Sequence, residues 1–232
     1  MGKLTKYSYL FKSRWLSKKL PYLYLLLAVD VAFTVLHVLY GTDNILYGKV
    51  NPSFFLGKEE SYAEALQHGK EGFIVLLLGL LAARQRSFLY LAWALLFLYL
   101  GLDDALQIHE KLGYVLSNEL GFSPIFGLGT QALGELTVWA FFGFFFLTAI
   151  ATTYRFSPDR LSKEQSRYLF MLLIIFAIPT IALDMGRDIV EKMRPDWLSP
   201  SLLTIPEDGG ELFALSVIVW YVLLMREQQN KR

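Results

Sequence analysis

The chain contains no cysteine, which excludes disulfide bonds, thiolate metal ligands and redox dithiols. It shows no low-complexity tract, no obvious repeat and no second domain. Its net charge is only +1, so the charge balance gives no indication of a nucleic-acid partner. Histidine is scarce, with three residues in 232. Apolar residues make up 54% of the chain and the mean hydropathy is +0.39, a composition too apolar for an ordinary soluble domain.

Several apolar segments approach the ~20 residues that a membrane-spanning helix needs. We predict helices over 21–40, 61–84, 88–112, 131–154, 162–191 and 207–226. Ser61 and Ser162 each begin a capping-box pattern, which favours a helix start. Pro179 predicts a kink in the fifth helix, and Pro206 suits the first turn of the sixth. The predicted fold is an all-α polytopic membrane helical bundle with about six transmembrane helices.

Charge alternates between the two ends of these helices. The segments 1–20, 84–87, 154–167 and 226–232 carry 15 Lys/Arg and 3 Asp/Glu, whereas 41–71, 103–135 and 184–211 carry 7 and 17. The positive-inside rule then predicts that both termini are cytoplasmic. Residues 1–20 are predicted to form a basic amphipathic segment on the inner membrane surface, followed by a single six-helix transmembrane domain over 21–232.

The three histidines and most carboxylates near apolar segments lie at the predicted outer ends of the helices, most densely over 103–110. Ionisable groups at a membrane edge are costly and usually face the protein interior or a cavity. Carboxylates with imidazole suit Zn, Mn or Fe, and carboxylates alone suit Mg or Ca. We therefore expect a divalent metal ion. Its predicted ligands are Asp103, His109, Glu110, Asp184, Asp188, Glu207 and Glu211.

Further residues of this region have predicted roles beside those ligands. Asp104 and Glu135 are the predicted catalytic groups, acting as general bases or as additional ligands. The secondary candidates are Asp30, His37, His68 and Arg187. Ordinary structural roles stay open, because a carboxylate such as Glu207 also complements a helix dipole and Arg187 can pair with neighbouring acids. Glu71, Asp208 and Glu191 are interpreted as solvated surface groups.

Helical phase limits which of these side chains can bind one ion. In a continuous third helix Asp103 and Glu110 share one face, while His109 points about 100° away from Glu110. An ion bound there would need ligands from the fourth, fifth or sixth helix. Asp30, alone in an apolar run, needs a proton, a polar partner or a place on an ion pathway.

Two motifs carry a resemblance. Residues 102–110 match a third-span ending of the type Leu-Asp-Glu-x4-His-Glu, and residues 207–211 match a sixth-span start of the type Glu-Glu-x-x-Glu. With these motifs the chain resembles a family of bacterial multi-pass membrane proteins, over about half of its length. Asp104 and Asp208 stand where that family has Glu. The resemblance implies a bacterial plasma membrane protein and groups these residues as one site, but it transfers no reaction.

Three functions stay open at this point. A metal-dependent hydrolase or transferase would act on a lipid or lipid-linked substrate, with its site facing the periplasm or cell exterior. A transporter or sensor of a divalent cation or proton is motivated by Asp30. A non-catalytic membrane subunit or assembly factor would use the acidic ends to bind a partner. Membrane lipids are expected partners in each case, nucleic acid is not, and the sequence predicts no oligomeric state.

Overall fold

The structure is a computed structural model that describes residues 14–47, 52–58, 60–125, 127–183, 185–186 and 204–230. It is all-helical, with 88% helix and no β-strand among the described residues. The prediction of an all-α fold is thereby confirmed. Of the predicted basic segment 1–20, the structure describes only the residues from Arg14 onward, where the first helix begins.

Seven α-helices organise the described part of the chain: α1 Arg14–Tyr47, α2 Tyr62–Gln85, α3 Phe88–Leu106, α4 Ile108–Glu119, α5 Thr130–Phe156, α6 Arg160–Ala177 and α7 Gly210–Asn230. The π-helical segment Ile178–Leu183 continues α6, and a second one, Ile205–Gly209, precedes α7. A short 3-10 turn, Pro52–Phe54, lies between α1 and α2. With those π segments, every helix except α4 is long and apolar enough to cross a membrane, giving six such helices. The fold is therefore consistent with a membrane protein.

The starts of α2 and α6 depend on different capping residues. The Ser61 hydroxyl accepts a hydrogen bond from the Glu64 backbone N–H at 3.1 Å, so the capping box predicted for α2 forms in part. The capping box predicted at Ser162 is wrong. The carboxylate of Asp159 caps α6 instead, accepting from the backbone N–H groups of Leu161 at 3.3 Å and Ser162 at 3.0 Å. Ser162 therefore lies inside the first turn.

The third predicted helix is interrupted at Gln107. The α-helical backbone stops at Leu106, Gln107 adopts a left-handed conformation with φ 53°, and α4 begins at the next residue. The prediction of one continuous helix over 88–112 is wrong, so Asp103 and Glu110 share no helical face. Asp103 stabilises the break, because its Oδ1 accepts a hydrogen bond at 2.9 Å from the backbone N–H of His109, in the first turn of α4.

Helices α2, α3 and α7 form the centre of the bundle. Their apolar side chains supply most of the main core cluster, including the fully buried Leu78, Trp93 and Ile218. Helix α5 runs antiparallel beside α3 and α4, with Gly134 against Gly113 near its start. The outer face of α5 is exposed and apolar, which suits contact with lipid.

A buried ion pair joins α1, α2 and α7. Asp30 is fully buried, and its carboxylate binds the Lys70 ammonium group and accepts a hydrogen bond at 2.6 Å from the Ser216 hydroxyl. Lys70 also donates to the carbonyl oxygen of Leu212 at 3.0 Å. The partner that the sequence requires for Asp30 is therefore a base on the next helix, and these contacts are structural.

His37 of α1 is buried against the segment that precedes α2. Its Nδ1 accepts a hydrogen bond from the Leu56 backbone N–H at 3.1 Å, and its ring meets the Phe55 ring edge-on at 5.5 Å. The side chain thus fixes the segment between α1 and α2. This geometry gives His37 a packing role.

Candidate metal centre

His68 and Glu71 of α2 converge with Asp104 of α3. One potential ligand atom from each lies within 4.8 Å of the other two, and no other such group of three occurs among the described residues. His68 Nδ1 lies 3.3 Å from Glu71 Oε2 and 3.6 Å from Asp104 Oδ2. Ligand atoms bonded to one tetrahedral ion at about 2.1 Å stand roughly 3.4 Å apart. The cluster can therefore hold a metal ion without large rearrangement.

The α2–α3 hairpin brings these residues together. The two helices are antiparallel and separated by a short connection, so the start of α2 lies beside the end of α3. His68 and Glu71, three residues apart, share one face of α2. Glu71 is only 3% exposed because α3 has no side chain at Gly101, where an added Cβ would lie 3.0 Å from Glu71 Oε2. The interpretation of Glu71 as a solvated surface group is wrong.

Further polar groups surround these three potential ligands. Gln67 Nε2 donates to Asp104 Oδ2 at 3.2 Å and to Glu211 Oε2 at 2.9 Å, which ties the start of α7 to the site. Glu64 Oε1 lies 3.6 Å from His68 Nε2. We call Glu64, His68, Glu71 and Asp104 the acid–histidine cluster. Its His68 and Asp104 side chains are 31% and 42% exposed, so one side of the cluster is accessible.

The cluster can compensate its negative charge in two ways. Without a metal ion, a protonated His68 ring can attract the carboxylates of Glu64, Glu71 and Asp104. With a metal ion, the ring must be neutral, because a protonated nitrogen cannot be a ligand. The two forms are mutually exclusive and can be told apart by experiment.

Asp103 points away from this cluster, toward α4 and α5. Its Oδ2 binds the His109 ring Nδ1 at 2.9 Å and accepts from Trp139 Nε1 at 3.3 Å, while its Oδ1 accepts from the Tyr99 hydroxyl at 3.4 Å. The His109 ring also packs on Trp139, with centroids 4.9 Å apart. The adjacent residues Asp103 and Asp104 thus belong to two different groups. A metal ion shared by Asp103 and His109 stays a prediction.

The pH response of His109 follows from its neighbours. Burial by itself lowers the pKa of His109, but the hydrogen bond and charge of Asp103, with the charges of Glu110 and Glu135, raise it above its ordinary value. A raised pKa means that protonation of His109 stabilises the fold below the ordinary pKa, and that this contribution is lost as pH rises through the folded-state pKa. We expect NMR titration of histidine-labelled protein to show this elevation, and Asp103→Asn to remove it. An unchanged His109 pKa in that variant would contradict this account.

Glu135, Glu110 and Glu207 do not belong to the acid–histidine cluster. Glu135 is half-buried on α5 and accepts a hydrogen bond from Gln131 Nε2 at 2.9 Å, and Glu110 is exposed. Glu207 is 6% exposed within the π segment before α7. Three predicted residues lie outside the described part of the chain: Asp184, Arg187 and Asp188.

Sequence reasoning missed the roles of Gln67, Lys70 and Glu71. A signal for two of them is present, because Glu64, Gln67, His68 and Glu71 follow the i, i+3, i+4, i+7 pattern of a single helix face. Such a polar stripe at the start of an apolar helix indicates a buried polar contact with a neighbouring helix.

The fold and the site together define an all-helical protein with six membrane-length helices and an acid–histidine cluster at one end of its central hairpin. Within that class, the chain belongs to the family described as Domain of unknown function (DUF8692), which matches residues 25–226. That range contains the whole acid–histidine cluster and Glu211. No curated protein and no solved structure gave a match.

Proposed function

We propose that this chain is a membrane-embedded, metal-dependent hydrolase or transferase whose divalent ion is bound by His68, Glu71 and Asp104. The proposal rests on one observation, the 3.3 Å and 3.6 Å separations between His68 Nδ1 and the two carboxylates. These separations fit the ligand spacing of a single ion, and they bring one imidazole and two carboxylates to one point. An imidazole with two carboxylates favours Zn, Mn or Fe over Mg or Ca.

The neighbouring side chains suit a catalytic centre. Three protein ligands leave a position for water or substrate, where a bound ion supplies Lewis-acid activation. Gln67 holds the Asp104 carboxylate in place from outside, as hydrogen bonds to ligands commonly do. Glu64 lies 3.6 Å from His68 Nε2, on the side of the ring opposite the proposed ion, where its carboxylate can orient the imidazole as a ligand.

The substrate that we propose is a lipid or a lipid-linked molecule. The acid–histidine cluster lies where α2 begins and α3 ends, the depth at which lipid headgroups meet water. The acidic ends of the helices would face the periplasm or cell exterior of a bacterial plasma membrane, as the positive-inside rule requires. Asp30 was the sequence feature that favoured transport; because it is paired with Lys70 and Ser216, we favour the enzyme over a transporter.

Metal content tests the ligand set. Protein purified in detergent and incubated with Zn, Mn and Fe salts is expected to retain about one ion per chain by elemental analysis. The His68→Ala, Glu71→Gln and Asp104→Asn variants should each bind it at least about tenfold more weakly, since loss of an outer-layer contact alone costs 10- to 100-fold. Glu119→Gln, which changes an exposed carboxylate at the end of α4, is the matched control and should bind as the wild type does.

The protonation state of His68 decides between the metal-bound and the charge-paired form. Folded wild-type protein that stays metal-free, with His68 protonated by NMR, would establish the charge-paired form and refute the metal centre.

Lipid turnover tests the enzyme. Metal-loaded protein is incubated with phosphatidylethanolamine and phosphatidylglycerol vesicles, with chelator-treated protein and Glu64→Gln in parallel. Metal-dependent lipid products that chelation abolishes and Glu64→Gln reduces support the enzyme. Metal binding without such products would reject catalysis on these lipids and leave the ion site standing.

A further inference from the structure

Two adjoining cavities lie at the opposite end of α3 and α5 from the acid–histidine cluster. The first, of about 400 Å³, lies between the α2–α3 and α5–α6 connections, and its lining includes Arg86, Phe88 and Ser157. The second is a shallow, open groove on one face of α5, lined only by side chains of that helix from Phe144 to Arg155. Thr152 lines both, so the cavity and the groove are continuous. We call them the headgroup cavity and the α5 groove.

The charges here favour an anion. Arg86 lines the headgroup cavity and Arg155 lines the α5 groove. Within the described part of the chain, no carboxylate forms an ion pair with either guanidinium group. Asp159 also lines the headgroup cavity, but its oxygens accept hydrogen bonds from the first turn of α6. The segments 84–87 and 154–167, which contain these connections and the adjoining helix ends, together carry six Lys/Arg against two Asp/Glu.

The shape and polarity of the two features favour a molecule with an apolar chain and a polar, anionic group. The wall of the α5 groove is mainly apolar, formed by side chains such as Phe144, Leu147 and Ala151. The headgroup cavity adds hydroxyl groups, including those of Ser87 and Ser157. Phe88 and Phe156 beside it are each 76% exposed, as rings in contact with lipid would be. A free phosphate ion would use the polar part alone.

We propose that the headgroup cavity and the α5 groove together bind one anionic phospholipid. Arg86 of the cavity and Arg155 of the adjoining groove supply charge-assisted hydrogen bonds to the phosphate group. One acyl chain follows the α5 groove. This site is independent of the proposed metal chemistry, which uses the other end of the same helices.

Native mass spectrometry of detergent-purified protein tests the site with phosphatidylglycerol and phosphatidylcholine of identical chains. Wild type should bind phosphatidylglycerol at least about tenfold more tightly. Arg86→Asn and Arg155→Gln should each weaken binding about fivefold, and the double variant about 25-fold. Asparagine is chosen at position 86 because it tolerates the left-handed backbone there, with φ 47°. Arg160→Gln, at the same end but outside both linings, is the control and should leave binding unchanged.

The groove has its own test. Ala151→Phe fills the α5 groove and should weaken phosphatidylglycerol binding while leaving binding of glycerol phosphate unchanged. Equal binding of the two lipids by wild type, or an unchanged double variant, would overturn the proposal. It would also be overturned if inorganic phosphate displaced the lipid completely and Ala151→Phe had no effect, because that result describes an anion pocket only. Each variant is checked for wild-type helicity and melting temperature, so that a binding loss reports on the site.

Discussion

Lys70→Met is expected to destabilise the protein by about 3–5 kcal/mol, because it leaves the buried Asp30 charge without its counter-ion. The Lys70 ammonium group and the Asp30 carboxylate are 4% and 0% exposed, so water cannot replace the lost partner. The Ser216 hydroxyl alone supplies one hydrogen bond and no charge. Equilibrium unfolding in mixed micelles, followed by circular dichroism, measures the loss.

The double variant Asp30→Leu with Lys70→Met separates the cost of a lone charge from the worth of the pair. Removing both charges should restore most of the stability, since apolar replacements of buried ion pairs are often neutral or stabilising. Lys58→Met, which replaces an exposed lysine, is the control and should change stability by less than about 0.5 kcal/mol. A Lys70→Met variant of unchanged stability would show that Asp30 and Lys70 are not a charged pair in the folded protein.

Gly134→Ala should destabilise the protein by about 3 kcal/mol, the upper end of the cost of overpacking. An added Cβ at this position would lie 2.1 Å from the carbonyl oxygen of Gly113, and backbone atoms cannot move aside as a flexible side chain would. Helices α4 and α5 would have to separate, and the contact between His109 and Trp139 would lengthen. The same unfolding measurement applies.

Gly143→Ala is the matched control on the same helix. Nothing lies within 4 Å of an added Cβ there, so the higher helix propensity of alanine should stabilise the protein by up to about 1 kcal/mol. Both variants replace glycine by alanine on the same helix, and their changes in the free energy of unfolding should have opposite signs. If both stabilised the protein, α4 and α5 could not be as close as Gly113 and Gly134 place them.

The six membrane-length helices follow from composition, because a run of about 20 apolar residues has few other stable uses. The break at Gln107 could not be predicted in the same way. Glutamine carries no turn signal, and its left-handed conformation is held by Asp103, which binds the backbone of His109 from the preceding helix. Such a contact becomes visible only when both helices are in place.

The centre of the candidate site was only partly predictable. The sequence indicates Asp104, because this residue adjoins another carboxylate, and it gives His68 as a secondary candidate. The burial of Glu71 depends on Gly101 of the facing helix, and the pairing of Lys70 depends on Asp30 of another. Both follow from the rotation of α2 about its own axis, which packing sets and hydropathy does not encode.

The Asp30–Lys70 pair also bears on how the chain is inserted during synthesis. Alone in lipid, each charge at a helix centre would cost about 2.5–3.5 kcal/mol on insertion scales. Helix α1 emerges from the ribosome before α2, and its Asp30 precedes Lys70 by forty residues. Leaving the insertion machinery together with α2 spares α1 that cost, so the first two helices should enter the bilayer as a neutral unit.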